Sequence, residues 1–98
     1  MAEVVWTRQA VEDLEEIRRF IARDSEHYAA LVYRRLVESV DRLELFPLSG
    51  RLVPEFGRES IREVIWGNYR IVYRVRGPLV EVLTVFHGSR LLREPSDD

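Results

Sequence analysis

The chain has 98 residues, of which 46% are hydrophobic, and its formal net charge at pH 7 is −2. This length suffices for one compact domain but not for two ordinary ones, so we expect a single domain over residues 1–98. The absence of cysteine excludes a disulfide framework, a thiol nucleophile and a thiolate metal site. No apolar run approaches the ~18 residues of a membrane span, and the N-terminus does not resemble a signal peptide. We therefore expect a cytoplasmic protein without membrane contact.

The charged residues are distributed unevenly along the chain. All fifteen basic residues are arginines, which excludes a phosphate-loop lysine and Schiff-base chemistry. Residues 1–48 contain seven arginines and ten acids, whereas residues 49–93 contain eight arginines and four acids. An anionic partner would therefore bind the second half of the chain.

The first half of the sequence predicts a strand followed by a helical hairpin. The β-prone run VVW is followed by Thr7, whose hydroxyl can cap a helix. Apolar residues recur at three- and four-residue spacing over residues 8–23 and again over residues 28–46, which indicates two amphipathic helices. Ser25 offers a second cap between them, and Pro47 ends the second helix.

The second half predicts a loop and three strands. Residues 47–60 contain two prolines and two glycines and show no sustained period, so we expect an ordered loop there. Three β-rich runs follow, at residues 61–66, 69–76 and 79–86, and the two-residue turns Gly-Asn and Gly-Pro join them as hairpins. The expected fold is α+β, in the order β-α-α-β-β-β, with the helical hairpin packed on one face of a twisted antiparallel sheet.

The middle strand alternates in a way that predicts two different sheet faces. Apolar residues take one set of positions and arginines most of the other: Tyr69, Ile71, Tyr73 and Val75 against Arg70, Val72, Arg74 and Arg76. Successive side chains of a strand point to opposite faces. We therefore expect an apolar face under the helices and an open face that carries arginines.

The motifs of common enzymes are absent from the sequence. There is no glycine-rich nucleotide loop, no nucleophile elbow and no HExxH motif, and only two histidines occur. Neither a metal centre nor a serine-hydrolase triad can be built readily from such a set. We expect no metal and no cofactor.

A polar set remains in the second half, and it suits RNA cleavage. A carboxylate can take the proton of a 2′-hydroxyl, arginines can stabilise the charged transition state, and a histidine can protonate the leaving oxygen. The candidates for these catalytic roles, if the protein is a nuclease, are Glu55, Arg70 and His87. The candidates for contacts with a phosphate or another target are Arg51, Arg62, Arg74 and Arg90. Each also has a structural interpretation, as a paired loop acid, an exposed sheet arginine or a hydrogen-bonded histidine at a strand end.

The order of these pieces resembles a known family. The chain carries GRxxPE, then RE followed by YRIVYRV, then VxHGxR, after a leading strand and two helices. The set resembles the RelE/ParE superfamily of toxins from bacterial type II toxin-antitoxin modules, also known as plasmid stabilisation proteins, over about residues 4–92. The resemblance implies growth arrest by the free toxin and neutralisation by a co-encoded antitoxin. We expect the antitoxin to lie along the hairpin and the arginine-bearing strand.

The resemblance leaves three functions open. Glu55, Arg70 and His87 match the positions that the ribosome-dependent, mRNA-cleaving branch uses, but Gly88 stands where that branch often has a tyrosine. The long hairpin and the HGSR element are similar to the branch that inhibits DNA gyrase. We favour gyrase inhibition; the alternatives are an endoribonuclease acting on ribosome-bound mRNA and a complex-forming member without toxicity.

Overall fold

The helices and strands follow in the order that the sequence predicts, with one additional short strand. The computed structural model describes residues 1–88. Its elements are β1 (Glu3–Trp6), α1 (Arg8–Ala22), α2 (Glu26–Asp41), a 3₁₀ turn (Arg42–Glu44), β2 (Arg51–Leu52), β3 (Ile61–Trp66), β4 (Tyr69–Arg76) and β5 (Leu79–His87). The expected α+β fold, with a helical hairpin on a sheet, is confirmed.

Both helices begin at the predicted caps. The hydroxyl of Thr7 accepts a hydrogen bond from the backbone N–H of Ala10 at 3.2 Å. The hydroxyl of Ser25 accepts one from the backbone N–H of Tyr28 at 3.0 Å. Such a cap satisfies a helix donor that has no partner within the helix, and it contributes about 1 kcal/mol.

The second helix ends earlier than its apolar period suggests. We expected it to reach Phe46, but α2 ends at Asp41 and the chain tightens into a 3₁₀ turn over Arg42–Glu44. Pro47 disfavours helical geometry at the residue before it, and 3₁₀ turns are common at helix ends. As a result Leu45 and Phe46 leave the helix and are exposed.

The sheet has five strands in the order β1-β5-β4-β3-β2. The three hairpin pairs, β2–β3, β3–β4 and β4–β5, are antiparallel. The pair of β1 with β5 is parallel, so the expectation of an antiparallel sheet is wrong for this pair. The two helices separate β1 from all other strands, and therefore no tight turn fixes its direction.

The main core lies between the helical hairpin and one face of the sheet. Its buried residues come from both helices and from β4 and β5: Ala10, Leu14, Val32, Leu36, Val40, Ile71, Val82 and Val85. Each buried valine, leucine or isoleucine stabilises the fold by roughly 1.5–3 kcal/mol relative to exposure. The amphipathic stripes of the sequence predict this face.

The second face of the sheet is covered, which contradicts the expected open face. The segment 53–60 crosses beneath it, and Val53 packs with Ile61, Val72 and Phe86 in a separate core cluster. Val72 is almost completely buried there. A loop of this length can wrap around the sheet edge, and the sequence of the loop shows no period that would reveal it.

The wrapping segment, by which we mean residues 47–60, passes the sheet edge at Gly50. A Cβ atom at this position would lie 2.5 Å from the hydroxyl of Tyr73 and 2.7 Å from the carbonyl oxygen of Glu63. The Tyr73 hydroxyl donates to the carbonyl of Pro47 at 2.8 Å and accepts from the N–H of Gly50 at 2.9 Å. Burial raises the pKa of this phenol. One buried tyrosine therefore fixes the crossing of the chain from the helix face to the second face.

Candidate functional site

Arg70 of β4 is held between two carboxylates on the second face. Its Nε donates to Glu63 at 2.6 Å, while its Nη1 and Nη2 donate to the two oxygens of Glu55 at 2.7 Å each. The residue is only 7% exposed. All three guanidinium nitrogens are thus bonded to acids of the same chain, one pair in the bidentate geometry that makes arginine–carboxylate contacts strong.

Glu63 joins a second arginine to this arrangement. Its other oxygen accepts a hydrogen bond from Nε of Arg51 at 2.6 Å. The side chain of Glu63 is fully buried, whereas that of Arg51 is 59% exposed. We refer to Arg51, Glu55, Glu63 and Arg70 as the carboxylate–arginine cluster. Its two positive and two negative charges balance, which a buried carboxylate requires.

The cluster favours the ionised forms of Glu55 and Arg70. Hydrogen bonding from Arg70 lowers the pKa of Glu55 from 4.5 to about 2. The hydrogen bonds that Arg70 donates to Glu55 and Glu63 raise the pKa of Arg70. Glu55 is therefore a carboxylate with little affinity for a proton at neutral pH.

Glu63 was missed by the sequence analysis, although a signal for it exists. The two-residue turn after Trp66 sets the register of β3 and β4, and this places Glu63 opposite Val72 and Ile65 opposite Arg70. Glu63 and Arg70 are consequently diagonal neighbours on one face. An acid that alternates with isoleucines in a strand needs such a partner, and the hairpin register identifies it.

A shallow groove brings the three predicted catalytic residues together. Glu55, Arg70 and His87 line it with Arg51 and Gly88, and its volume is about 440 Å³. His87 lies at the end of β5, opposite Tyr69, and the two rings meet edge to face with their centroids 5.9 Å apart. The three residues therefore lie close together in the fold, but the guanidinium of Arg70 is already hydrogen-bonded to Glu55 and Glu63.

Arg62 and Arg74, two of the four arginines predicted to bind a target, make hydrogen bonds within the chain. Arg74 is nearly buried, and its Nε donates to Glu81 at 3.2 Å. Arg62 donates to the carbonyl of Gly50 at 3.0 Å, which ties the wrapping segment to β3. Arg51 is the one of these three that lines the groove. Arg90 lies outside the described residues.

A second, larger groove runs between α1 and β5. Its volume is about 570 Å³, and Ile17, Phe20, Arg23 and Tyr69 are among its lining residues. Phe20 is 66% exposed, and the guanidinium of Arg23 lies 5.6 Å from the centre of its ring. An apolar groove of this kind can receive a helix or an extended segment of another chain.

Two kinds of feature are absent from residues 1–88, a metal-binding cluster and a membrane-spanning helix. No group of three or more histidine, aspartate or glutamate side chains in this range is arranged to hold a metal ion. None of its helices has the length and apolar character that crossing a bilayer requires.

Comparison of the fold defines the class of protein first. The structure is similar to a chain of the chromosomal ParDE toxin-antitoxin system from P. aeruginosa, with a TM-score of 0.72, 22% identity, and coverage of 89% of this chain and 96% of that one. It is also similar to a chain of the toxin-antitoxin complex RelBE2 from Mycobacterium tuberculosis, with a TM-score of 0.65, 24% identity, and coverage of 88% and 96%. The fold is that of the small ParE/RelE-like proteins.

Sequence comparison identifies the family. The model of the ParE toxin of the type II toxin-antitoxin system parDE matches residues 4–92. Toxin RelE2 of Caulobacter vibrioides is 37% identical over 91 residues, which span 93% of this chain and 100% of the relative. The chain belongs to the ParE toxin family of type II toxin-antitoxin systems, and the resemblance to the RelE/ParE superfamily is confirmed.

Proposed function

We propose that this toxin arrests growth by binding a protein target, DNA gyrase, and not by cleaving RNA. The observation that carries the proposal is the state of Arg70, whose three guanidinium nitrogens are all bonded to Glu55 and Glu63. A cleavage site needs donors directed at the phosphate and a carboxylate that can accept a proton. The carboxylate–arginine cluster directs these groups at each other.

The proton affinity of Glu55 argues against its use as a general base. An efficient base has a pKa near the working pH, whereas hydrogen bonding from Arg70 lowers the pKa of Glu55 to about 2. The 2′-hydroxyl of RNA would have to transfer its proton to a very weak base. This supports a structural role for Glu55.

The availability of Arg70 gives a second argument. To bind a phosphate, its guanidinium would have to release the two oxygens of Glu55 or the oxygen of Glu63. The bond to Glu63 is almost completely buried, so breaking it is costly, whereas the side chain of Glu55 is 24% exposed and its bond is partly screened by solvent. The arrangement supports a function in which the second face stays closed and the outer surface makes the contacts.

The names of the relatives do not separate the two mechanisms. The family model is described as a ParE toxin, whereas the curated relative carries the name RelE2. The long helical hairpin, with fifteen residues in α1 and sixteen in α2, and the HGSR element favour the ParE-like branch. The geometry of the cluster supports the same choice.

A co-encoded antitoxin is the expected protein partner. The two similar folds come from structures described as toxin-antitoxin assemblies. Because Arg70 and Arg74 are covered, contact with the arginine-bearing strand is less accessible than the sequence suggested. We place the antitoxin segment in the groove between α1 and β5, where Phe20 is exposed. Hydrogen exchange with and without the antitoxin should show protection of α1 and of residues 85–87.

The test of the mechanism uses the purified wild-type chain in two assays. We expect inhibition of supercoiling by purified gyrase and no cleavage of mRNA on translating ribosomes. Cleavage at the ribosome without an effect on gyrase would contradict the proposal. Normal growth at verified soluble expression would instead favour a member without toxicity.

Endonuclease activity is the second candidate, and one observation favours it. Glu55, Arg70 and His87 line a single groove, as a nuclease would require. If this candidate is right, His87→Ala should reduce mRNA cleavage about a hundredfold or more, because it removes a general acid. Thermal unfolding of the variant should remain close to that of the wild type, since His87 is exposed.

A further inference from the structure

Three large apolar side chains protrude where α2 gives way to the wrapping segment. Leu45, Phe46 and Leu48 are 63%, 62% and 60% exposed. We refer to these three residues as the 45–48 ridge. Single exposed apolar residues are ordinary, but a cluster of large ones on a small domain marks an interaction surface.

The backbone of the 45–48 ridge is held in place by contacts with the core. Leu43, two residues before it, is fully buried in the core cluster that contains Tyr73. Within the ridge segment, the carbonyl of Pro47 accepts a hydrogen bond from the Tyr73 hydroxyl. The exposed side chains are therefore presented by a backbone that is anchored before the ridge and within it, which reduces the entropy lost on binding.

The groove on one side of the ridge is lined by two exposed arginines. Phe46 lines a shallow groove together with Arg42, Arg51 and the half-exposed Ile65. The acid that lines this groove, Glu63, has a fully buried side chain that is bonded to Arg51. The exposed surface thus combines apolar side chains with positive charge, and aromatic residues and arginines are the types enriched at the energetic centres of interfaces.

Shape and charge decide what kind of partner fits. A protruding ridge inserts into a pocket of a folded protein, whereas the concave groove between α1 and β5 receives a segment. A second copy of this chain is disfavoured, because two ridges would bring Arg42 and Arg51 of both copies together. Phosphates of a nucleic acid would meet the arginines but would leave Leu45, Phe46 and Leu48 uncovered.

We propose that the 45–48 ridge is the surface with which the toxin binds its protein target, inserting Phe46 into an apolar pocket that has an acidic rim. The inference rests on the proposed function, in which the chain acts by binding a protein. It assigns target and antitoxin to different surfaces, the ridge and the groove beside α1.

The test compares Phe46→Ser with Tyr28→Ser, a matched control because Tyr28 is an aromatic residue of α2 that is 52% exposed. Each variant is induced alone to measure growth arrest, purified to measure gyrase inhibition and antitoxin affinity, and unfolded thermally to check the fold. We expect Phe46→Ser to weaken gyrase inhibition about tenfold or more, which is the effect of truncating a residue at the energetic centre of an interface. The variant should no longer arrest growth. Antitoxin affinity of Phe46→Ser should stay within about threefold of the wild type, and Tyr28→Ser should keep gyrase inhibition and growth arrest within the same range.

A charge reversal gives an independent test of the acidic rim. Arg42→Glu should weaken target binding several-fold, and Arg34→Glu, which reverses an exposed arginine on α2, should not. Added salt should reduce the difference between these two variants.

Each outcome decides between the proposals. Growth arrest by folded Phe46→Ser at the wild-type level would overturn the ridge as the target surface. A loss of antitoxin affinity with retained growth arrest would overturn it too, because the ridge would then bind the antitoxin. A third outcome is that the wild type arrests growth without affecting gyrase, whereas Phe46→Ser does not arrest growth. The ridge would then remain the target surface, and gyrase would be the wrong target. Absence of arrest by the soluble wild type would overturn both proposals.

Discussion

The two faces of the sheet are built on different principles. The helix face is an apolar core in which Leu36 and Ile71 are fully buried. The second face combines a small apolar cluster with a buried ionic one, in which Glu63 is bonded to Arg51 and Arg70. Apolar packing depends on total burial and shape, whereas a buried charge depends on every one of its partners. The second face should therefore be the more sensitive of the two to single polar changes.

The largest effect should follow from removing the shared carboxylate. Glu63→Ala leaves Arg70 nearly buried with one partner fewer, and we expect it to lower the free energy of unfolding by about 3–5 kcal/mol. Glu63→Gln, which keeps the shape and one acceptor, should cost less. Urea denaturation of the two variants measures both values. A loss below about 1 kcal/mol for Glu63→Ala would show that the second face does not depend on this ion pair.

The matched change on the helix face is Leu36→Ala. Leu36 is completely buried between the hairpin and the sheet, so the substitution should cost about 3 kcal/mol through lost burial and the cavity that remains. The same denaturation experiment applies. If Leu36→Ala costs far more than Glu63→Ala, the proposed contrast between the faces is reversed.

The position at which the chain crosses from the helix face to the second face, Gly50, should be the next most sensitive to substitution. Gly50→Ala places a methyl group against the Tyr73 hydroxyl and the backbone of Glu63, and we expect a loss of about 1–3 kcal/mol. Ser49→Ala, at an exposed neighbouring position, serves as the control and should have little effect. A stability of Gly50→Ala equal to that of the wild type would mean that the segment can cross elsewhere.

The smallest predicted effect concerns pH. The pKa of Glu55 is lowered in the folded chain, so the ionised form contributes stability that is complete above about pH 4.5 and is lost as the pH falls towards about 2. Glu55→Gln should flatten the dependence of the melting temperature on pH within this window and leave the dependence above it unchanged. An identical acid profile for variant and wild type would argue against the Glu55–Arg70 bond in solution.

The sequence predicted the helix face well because its signals are local. The helix caps Thr7 and Ser25 and the strand alternation from Tyr69 to Arg76 depend on neighbouring residues alone. The register of the hairpin follows from a two-residue turn, and it is sufficient to bring Arg70 to the same face as Glu63.

The second face could not be predicted in the same way because its contacts are not local. The segment 53–60 carries no periodic pattern. Its position depends on the hydrogen bond that Gly50 donates to the hydroxyl of Tyr73, which lies 23 residues later in the chain. Arg70 and Arg74 were expected on an open surface, since arginines are usually exposed. Their burial follows from acidic partners, Glu63 for Arg70 and Glu81 for Arg74, whose pairing requires the folded sheet. The direction of β1 likewise depends on packing and not on a turn.

The central claim is that the carboxylate–arginine cluster stabilises the fold and that the toxin acts by binding. The most direct test is the activity of Glu55→Gln, measured below its melting temperature, in gyrase inhibition and in growth arrest. On the proposal that Glu55 is a partner of Arg70 and not a base, we predict half-inhibitory concentrations within about threefold of the wild type. A folded variant whose toxicity falls about a hundredfold, together with loss of mRNA cleavage on ribosomes, would contradict the claim and identify Glu55 as a general base.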